Sequence, residues 1–278
     1  MRDFLELLFS SDVPFMRNAM IVGLLSSVAF GVIGSYVVVR RVSYLAGAIA
    51  HSSLLGIGAA LFMRGRFGWT AADPLLGALI AALLSAFAVW WVSTYAKERE
   101  DAIIGAIWSV GMAGGLLFLS CTPGYVDAMS YLFGDVLLVG GWQMWLVAAL
   151  DLAVLLLGIG LYNRFQALSF DEEFATVRGL PVKSTSLLLL CMVALTVVVL
   201  VSVAGIVLVV ALLTLPAAAA GRISSSLKGM MIGATLIGVV TVPSGLFLSY
   251  NWDLPAGPLI VLLVAIVYLG SWLKGRKA

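Results

Sequence analysis

From Ser184 to Gly221 the chain carries no charged side chain. A single helix over that stretch, rising ~1.5 Å per residue, would far exceed the ~30 Å hydrocarbon core of a bilayer. The run must therefore hold two crossings, and Ser202-Val203-Ala204-Gly205 is its most suitable break. The same pattern recurs along all 278 residues. Stretches of the ~20 mostly apolar residues that a spanning helix needs cover 18–39, 45–63, 74–95, 102–120, 141–162, 184–202, 204–221, 229–250 and 256–273. The expected fold is an all-α integral membrane protein with about nine transmembrane helices, eight being the alternative count, in a single membrane domain over 1–278.

Composition agrees. Only 11% of residues are charged and the mean hydropathy is +1.12, whereas a soluble domain is about a quarter charged. A net charge of +2 gives no hold for nucleic acid. Cys121 and Cys191 have neither metal-site spacing nor the pattern of a disulfide framework and read as packing residues. At the start, Asp3, Glu6 and Asp12 alternate with Phe4, Leu7, Leu8 and Phe9. That mixture reads as a short interfacial helix within 1–17.

Lysine and arginine placement sets the expected orientation. With Arg40 and Arg41 inside, twelve of the sixteen basic residues fall on the cytoplasmic side, leaving Arg2, Arg17, Arg64 and Arg66 outside. The N-terminus is then outside and the C-terminus cytoplasmic. Residues 123–140 are apolar but too broken to span, and read as a re-entrant hairpin on the outer side, covered by protein or facing a water-filled cavity. Residues 165–183 form the long polar insert. Ser169 is the expected cap of a cytoplasmic amphipathic helix over about 169–180, with Asp171, Glu172 and Glu173 in its first turn and Gly179 and Pro181 at its end. Phe170, Phe174 and Val177 fall on one face of it.

Six stretches then carry a resemblance. They are Gly34-Ser35-Tyr36-Val37-Val38-Val39-Arg40-Arg41-Val42-Ser43 leading to Ala48-Ile49-Ala50-His51; Glu100-Asp101-Ala102-Ile103-Ile104-Gly105; Ser130-Tyr131-Leu132-Phe133-Gly134-Asp135-Val136-Leu137; Asp171-Glu172-Glu173-Phe174-Ala175 with Arg178-Gly179-Leu180-Pro181; Ala211-Leu212-Leu213-Thr214-Leu215-Pro216-Ala217-Ala218; and Leu254-Pro255-Ala256-Gly257-Pro258. Together they resemble the permease subunits of ABC importers for divalent metal ions. The resemblance implies a bacterial plasma-membrane location and a fold like that of cobalamin and siderophore importer permeases. It implies a second permease protomer, a cytoplasmic ATP-binding subunit and an extracytoplasmic metal-binding protein, all meeting in membrane lipid. The cargo it implies is zinc or manganese, with iron as a further member, and no tightly bound cofactor. It makes the insert a coupling helix for the ATPase, with Phe170, Glu173, Phe174, Val177, Arg178 and Gly179 as the docking residues. The chain has no GxxxxGK[ST] loop, so ATP chemistry is expected on the partner and this chain is not itself the enzyme.

His51 is the lone histidine and lies within a spanning run. Ionisable groups at that depth are costly and tend to line pathways. It reads as a transient metal ligand, because borderline cations accept a neutral imidazole; the competing reading is a packing histidine bonded to a backbone carbonyl. The resemblance adds a carboxylate four residues earlier, on the same helix face, but that position is Gly47 here. His51 is therefore expected to supply half of a weak two-protomer site. Asp151, in mid-span, is either a cation-attracting pathway group or a protonated carboxyl bonded to a neighbouring helix. Asp135 and Asp127 flank the outer hairpin and are entrance candidates, with turn chemistry as the alternative for Gly134-Asp135. Two other functions fit the residues less well: a permease for metal chelates of the siderophore or cobalamin type, which the short loops disfavour, and an intramembrane enzyme pairing His51 with Asp151.

Overall fold

The computed structural model describes residues 14–96, 100–124, 131–132, 134 and 140–273. Nine helices among the described residues are long and apolar enough to cross a membrane. They are α1 (Pro14–Val39), α2 (Ser43–Phe67), α3 (Pro74–Trp91, continued by a π-helical turn over Val92–Ala96), α4 (Glu100–Cys121) and α5 (Gly141–Gly160). After the short α6 (Tyr162–Phe170) and α7 (Glu172–Val177) come α8 (Val182–Ala204), α9 (Ile206–Ile223), α10 (Leu227–Trp252) and α11 (Ala256–Leu273).

The uncharged run from 184 breaks where expected. Gly205, at φ 78° and ψ 163°, separates α8 from α9, in a region of backbone space that a residue with a Cβ enters only at a cost. Gly134, from the hairpin segment, packs so tightly on Ala204 and Gly205 that a Cβ there would collide with their backbone. This break in the helix is thus covered by protein, as irregular backbone at membrane depth requires.

Two sequence expectations change. Residues from Pro14 onward belong to α1, so the expected interfacial helix does not extend to 17; residues 1–13 lie outside the described residues, as does most of the 123–140 segment. The insert is two helices rather than one over 169–180. Asp171 is extended (φ −154°, ψ 100°) and divides α6 from α7. It, not Ser169, is the cap: its carboxylate accepts from Phe174 N–H at 2.8 Å, while the Ser169 hydroxyl turns back to donate to the Phe165 carbonyl at 2.6 Å. A carboxylate at a helix start also gains from the helix dipole, which a hydroxyl does not. Phe170 therefore sits at the end of α6, one helix before Phe174 and Val177.

The turn after α1 is a Schellman closure. Val42 N–H donates to the Val37 carbonyl at 3.0 Å and Arg41 N–H to the Val38 carbonyl at 3.1 Å, with Arg41 left-handed at φ 60°. Helices α1, α2 and α8 lie at the centre of the bundle, largely buried, whereas α3, α4, α5 and α11 turn apolar faces outward. Leu262, Ile266 and Leu269 on α11, and Leu152, Leu156 and Ile159 on α5, are exposed at helical spacing, a face suited to lipid.

With no hydrophobic drive between helices in lipid, close packing must supply cohesion. Gly56 of α2 and Gly77 of α3 stand backbone to backbone, and a Cβ on either would strike the other's carbonyl. Gly56→Val should therefore force the two helices apart, at an overpacking cost of roughly 1–3 kcal/mol. The expected result is a lower thermal unfolding midpoint for the detergent-solubilised protein; an unchanged midpoint would refute the close contact.

Candidate functional site

His51 lies on α2, eight residues past its start and roughly 12 Å along its axis. Its ring is half-buried, and Nδ1 is 2.9 Å from the Gly47 carbonyl one turn back. A carbonyl can only accept, so Nδ1 carries the proton in this bond and Nε2 keeps a lone pair for another partner. The packing reading and the ligand reading are thus compatible: one nitrogen anchors the ring and the other is available. The ring also stacks on the Trp108 indole of α4, centroids 4.4 Å apart at 23°. Among the described residues no group of three or more His, Cys, Asp or Glu is placed to hold a metal ion. The Nε2 lone pair of His51 is the donor atom that this geometry leaves open.

Asp151 is buried in α5 at 5% exposure, beside the Ala29 backbone of α1. Among the described residues neither of its oxygens meets the geometry of a hydrogen bond, the Ala29 N–H being the polar group beside them. It is not brought to His51: the two side chains sit against different helices, α1 and α4. Asp127 and Asp135 lie outside the described residues. Gly134, next to Asp135, has φ 66°, the backbone of a turn.

At the end of the bundle that holds the α8–α9 break, a cavity of about 460 Å³ opens between α2, α3, α5 and α8, with Asp73, Tyr131, Gln143 and Ser202 among its lining residues. Burial pushes the Tyr131 phenol above its usual value. Asp73 was not among the sequence candidates. Its signal was the Asp-Pro start of a helix: the carboxylate caps α3, accepting from Leu75 and Leu76 N–H at 2.8 and 3.1 Å.

At the opposite end, α6 and α7 pack on the bundle through Phe165, Leu168 and Ala175 and turn their other faces outward. Phe170, Phe174 and Val177 are 66%, 53% and 86% exposed, so the apolar side chains expected to dock are uncovered although they belong to two helices. Glu173, Arg178 and Gly179 are exposed beside them. Ala175 is buried and pins α7 to the bundle. Arg40, at the end of α1, reaches across to Glu172 of α7 (3.6 Å) and donates to the Ser186 hydroxyl of α8 (3.2 Å). Glu172 is more than half exposed, and such ion pairs add at most about 1 kcal/mol; the link sets position more than stability. Trp90 Nε1 donates to the Lys183 carbonyl at 2.9 Å, and the Lys183 ammonium lies 4.7 Å over the Tyr95 ring. The α3 and α8 ends are thereby joined beside a groove of about 550 Å³ lined by Ser93, Thr94, Glu172 and Thr176 among others.

The ABC 3 transport family matches residues 12–275. An uncharacterized membrane protein of Synechocystis is 40% identical over 258 residues, 92% of this chain and 89% of that protein. The manganese transport system membrane protein MntC of Listeria monocytogenes is 30% identical over 263 residues, 95% of this chain and 91% of that protein. Among solved structures, PsaBC from Streptococcus pneumoniae in complex with Fab contains a chain that superposes with a TM-score of 0.85 at 28% identity, covering 99% of this chain and 96% of that one.

An unpaired carboxyl enclosed at mid-span costs about 2.5–3.5 kcal/mol on insertion scales. Asp151→Leu is therefore expected to raise the thermal unfolding midpoint in detergent. A fall would mean that the carboxyl has a partner that supports the fold.

Proposed function

The chain belongs to the ABC 3 transport family, and we propose that as its membrane-spanning permease subunit it carries manganese or zinc inward, driven by ATP hydrolysed on a partner. It is a multi-pass protein of the bacterial inner membrane. The observation that carries a metal-ion cargo is end-to-end likeness to a protein named for manganese transport, over 95% of this chain; the choice between manganese and zinc rests on the chemistry of the path.

The Arg40–Arg41 end faces the cytoplasm, following the basic residues. Two copies of the chain meet around the path, and each presents the Nε2 lone pair of one His51. Two imidazoles with water complete a loose shell, and loose binding suits a carrier that must release its ion. The exposed Phe170, Phe174 and Val177, with Glu173, Arg178 and Gly179, form the surface on which the ATP-binding subunit docks. Arg40 ties that surface to α1 and α8, and α1 leads directly into α2, the helix of His51. Motion of the docked subunit is thus passed to the path within one helical hairpin. A metal-binding protein delivers the ion at the other end, where Asp73 and Tyr131 border the cavity.

The test is uptake of radioactive manganese or zinc by proteoliposomes holding the permease, its ATPase and its metal-binding protein. ATP-dependent accumulation is expected in the native complex. His51→Ala should lower it by at least about tenfold, the smallest loss usual even for partners outside the coordination shell, while the ATPase still assembles. Phe174→Asp should instead abolish co-purification of the ATPase. Full uptake by the His51 variant would remove His51 from the path, and undiminished ATPase binding by the Phe174 variant would remove α7 from the docking surface.

A further inference from the structure

The surroundings of His51 assign a role to a residue that no motif marks. Helices α2 and α4 approach until their backbones touch. A Cβ on Gly111 of α4 would lie 2.7 Å from Ser52 Cα, and one on Gly115 would lie 2.8 Å from the Leu54 carbonyl carbon. Trp108 stands one turn before Gly111 on the same face of α4, so the close contact presses its indole onto α2. The indole fits because position 47 is glycine: a Cβ there would fall 2.5 Å from Trp108 Cζ3 and 2.9 Å from Cη2. The same ring system stacks on the His51 imidazole at 4.4 Å. Its six-membered ring thus fills the notch at Gly47, while its face fixes the plane of His51.

We propose that Trp108 is the positioning residue of the His51 site, holding the imidazole with Nδ1 on the Gly47 carbonyl and Nε2 outward, and that by filling the notch it leaves imidazole as the side-chain ligand that α2 offers, which favours borderline cations such as zinc over hard cations such as manganese. This rests on the reading of His51 as a path ligand. Two observations support it. The hydrogen bond to Gly47 defines the tautomer, but a single bond leaves the ring free to swing about it; the stacked indole removes that freedom. Among the described residues no group of three or more His, Cys, Asp or Glu includes His51, and the indole occupies the space that a side chain at position 47, one turn before His51, would need. Imidazole ligation suits zinc, iron, nickel and copper, while manganese prefers oxygen ligands.

The experiment compares zinc and manganese uptake in the reconstituted complex for native chain, Trp108→Phe, Trp108→Leu and His51→Ala, with thermal midpoint and ATPase assembly measured for each. Native chain is expected to prefer zinc. Trp108→Phe keeps an aromatic face and should retain that preference. Trp108→Leu keeps apolar packing but not the stack, and should lose about tenfold in zinc-over-manganese preference, the scale on which partners outside the coordination shell act. Copper(II) bound in the permease should show nitrogen hyperfine splitting in native chain and Trp108→Phe, altered in Trp108→Leu and absent in His51→Ala. A native preference for manganese overturns the proposal without any variant. So does a Trp108→Leu variant with native preference and native copper spectrum. If His51→Ala itself transports normally, the reading of His51 as a path ligand has failed instead.

Discussion

The backbone has nowhere but itself to place its hydrogen bonds in hydrocarbon, and the rest of the structure follows from that constraint. It makes every crossing a helix and confines irregular backbone to places that protein covers. The α8–α9 break shows the rule at work: Gly205 leaves helical geometry, and Gly134 closes over it. Apolar side chains gain nothing by hiding from lipid, so cohesion comes from how closely backbones can approach. Glycines at 56, 77, 111 and 115 set those distances. The notch that receives Trp108 at Gly47 is a by-product of the same packing.

Polar chemistry is scarce in such a chain, and its placement is telling. Most of it gathers at the two ends of the bundle. At one end Asp73, Tyr131, Gln143 and Ser202 border a cavity. At the other Arg40, Glu172, Ser186 and Lys183 tie α1, α3, α7 and α8 together. Between them, among the described residues, stand the imidazole of His51 and the carboxyl of Asp151, with hydroxyls such as Ser35 and Thr196. His51 is provided for, with one nitrogen bonded and its ring stacked; Asp151 is enclosed beside the Ala29 N–H, with no hydrogen bond among the described residues.

The Arg40 link gives the α6–α7 end of the bundle its logic. This residue stands at the turn between α1 and α2, which Arg41 and Val42 N–H close, and its side chain reaches α7. Phe174 and Val177 are thereby tied, through Glu172 and Arg40, to the helix pair that carries His51.

Hydropathy and spacing alone were enough to place nine crossings, the break before Ile206 and the singular position of His51, because each depends on local composition measured against the thickness of a bilayer. The cap of α7 was misassigned to Ser169, since two cap-forming residues two positions apart look alike until the backbone shows which is extended. The stack of Trp108 on His51, the reach of Arg40 to Glu172 and the place of Asp151 beside Ala29 were not legible. Each joins helices far apart in sequence, and no periodicity within one helix records which face of another it will meet. The chain by itself determined that it crosses the membrane and where. Only tertiary packing decided that the space beside the lone histidine is filled by an indole, because that depends on how closely two glycine-bearing helices approach.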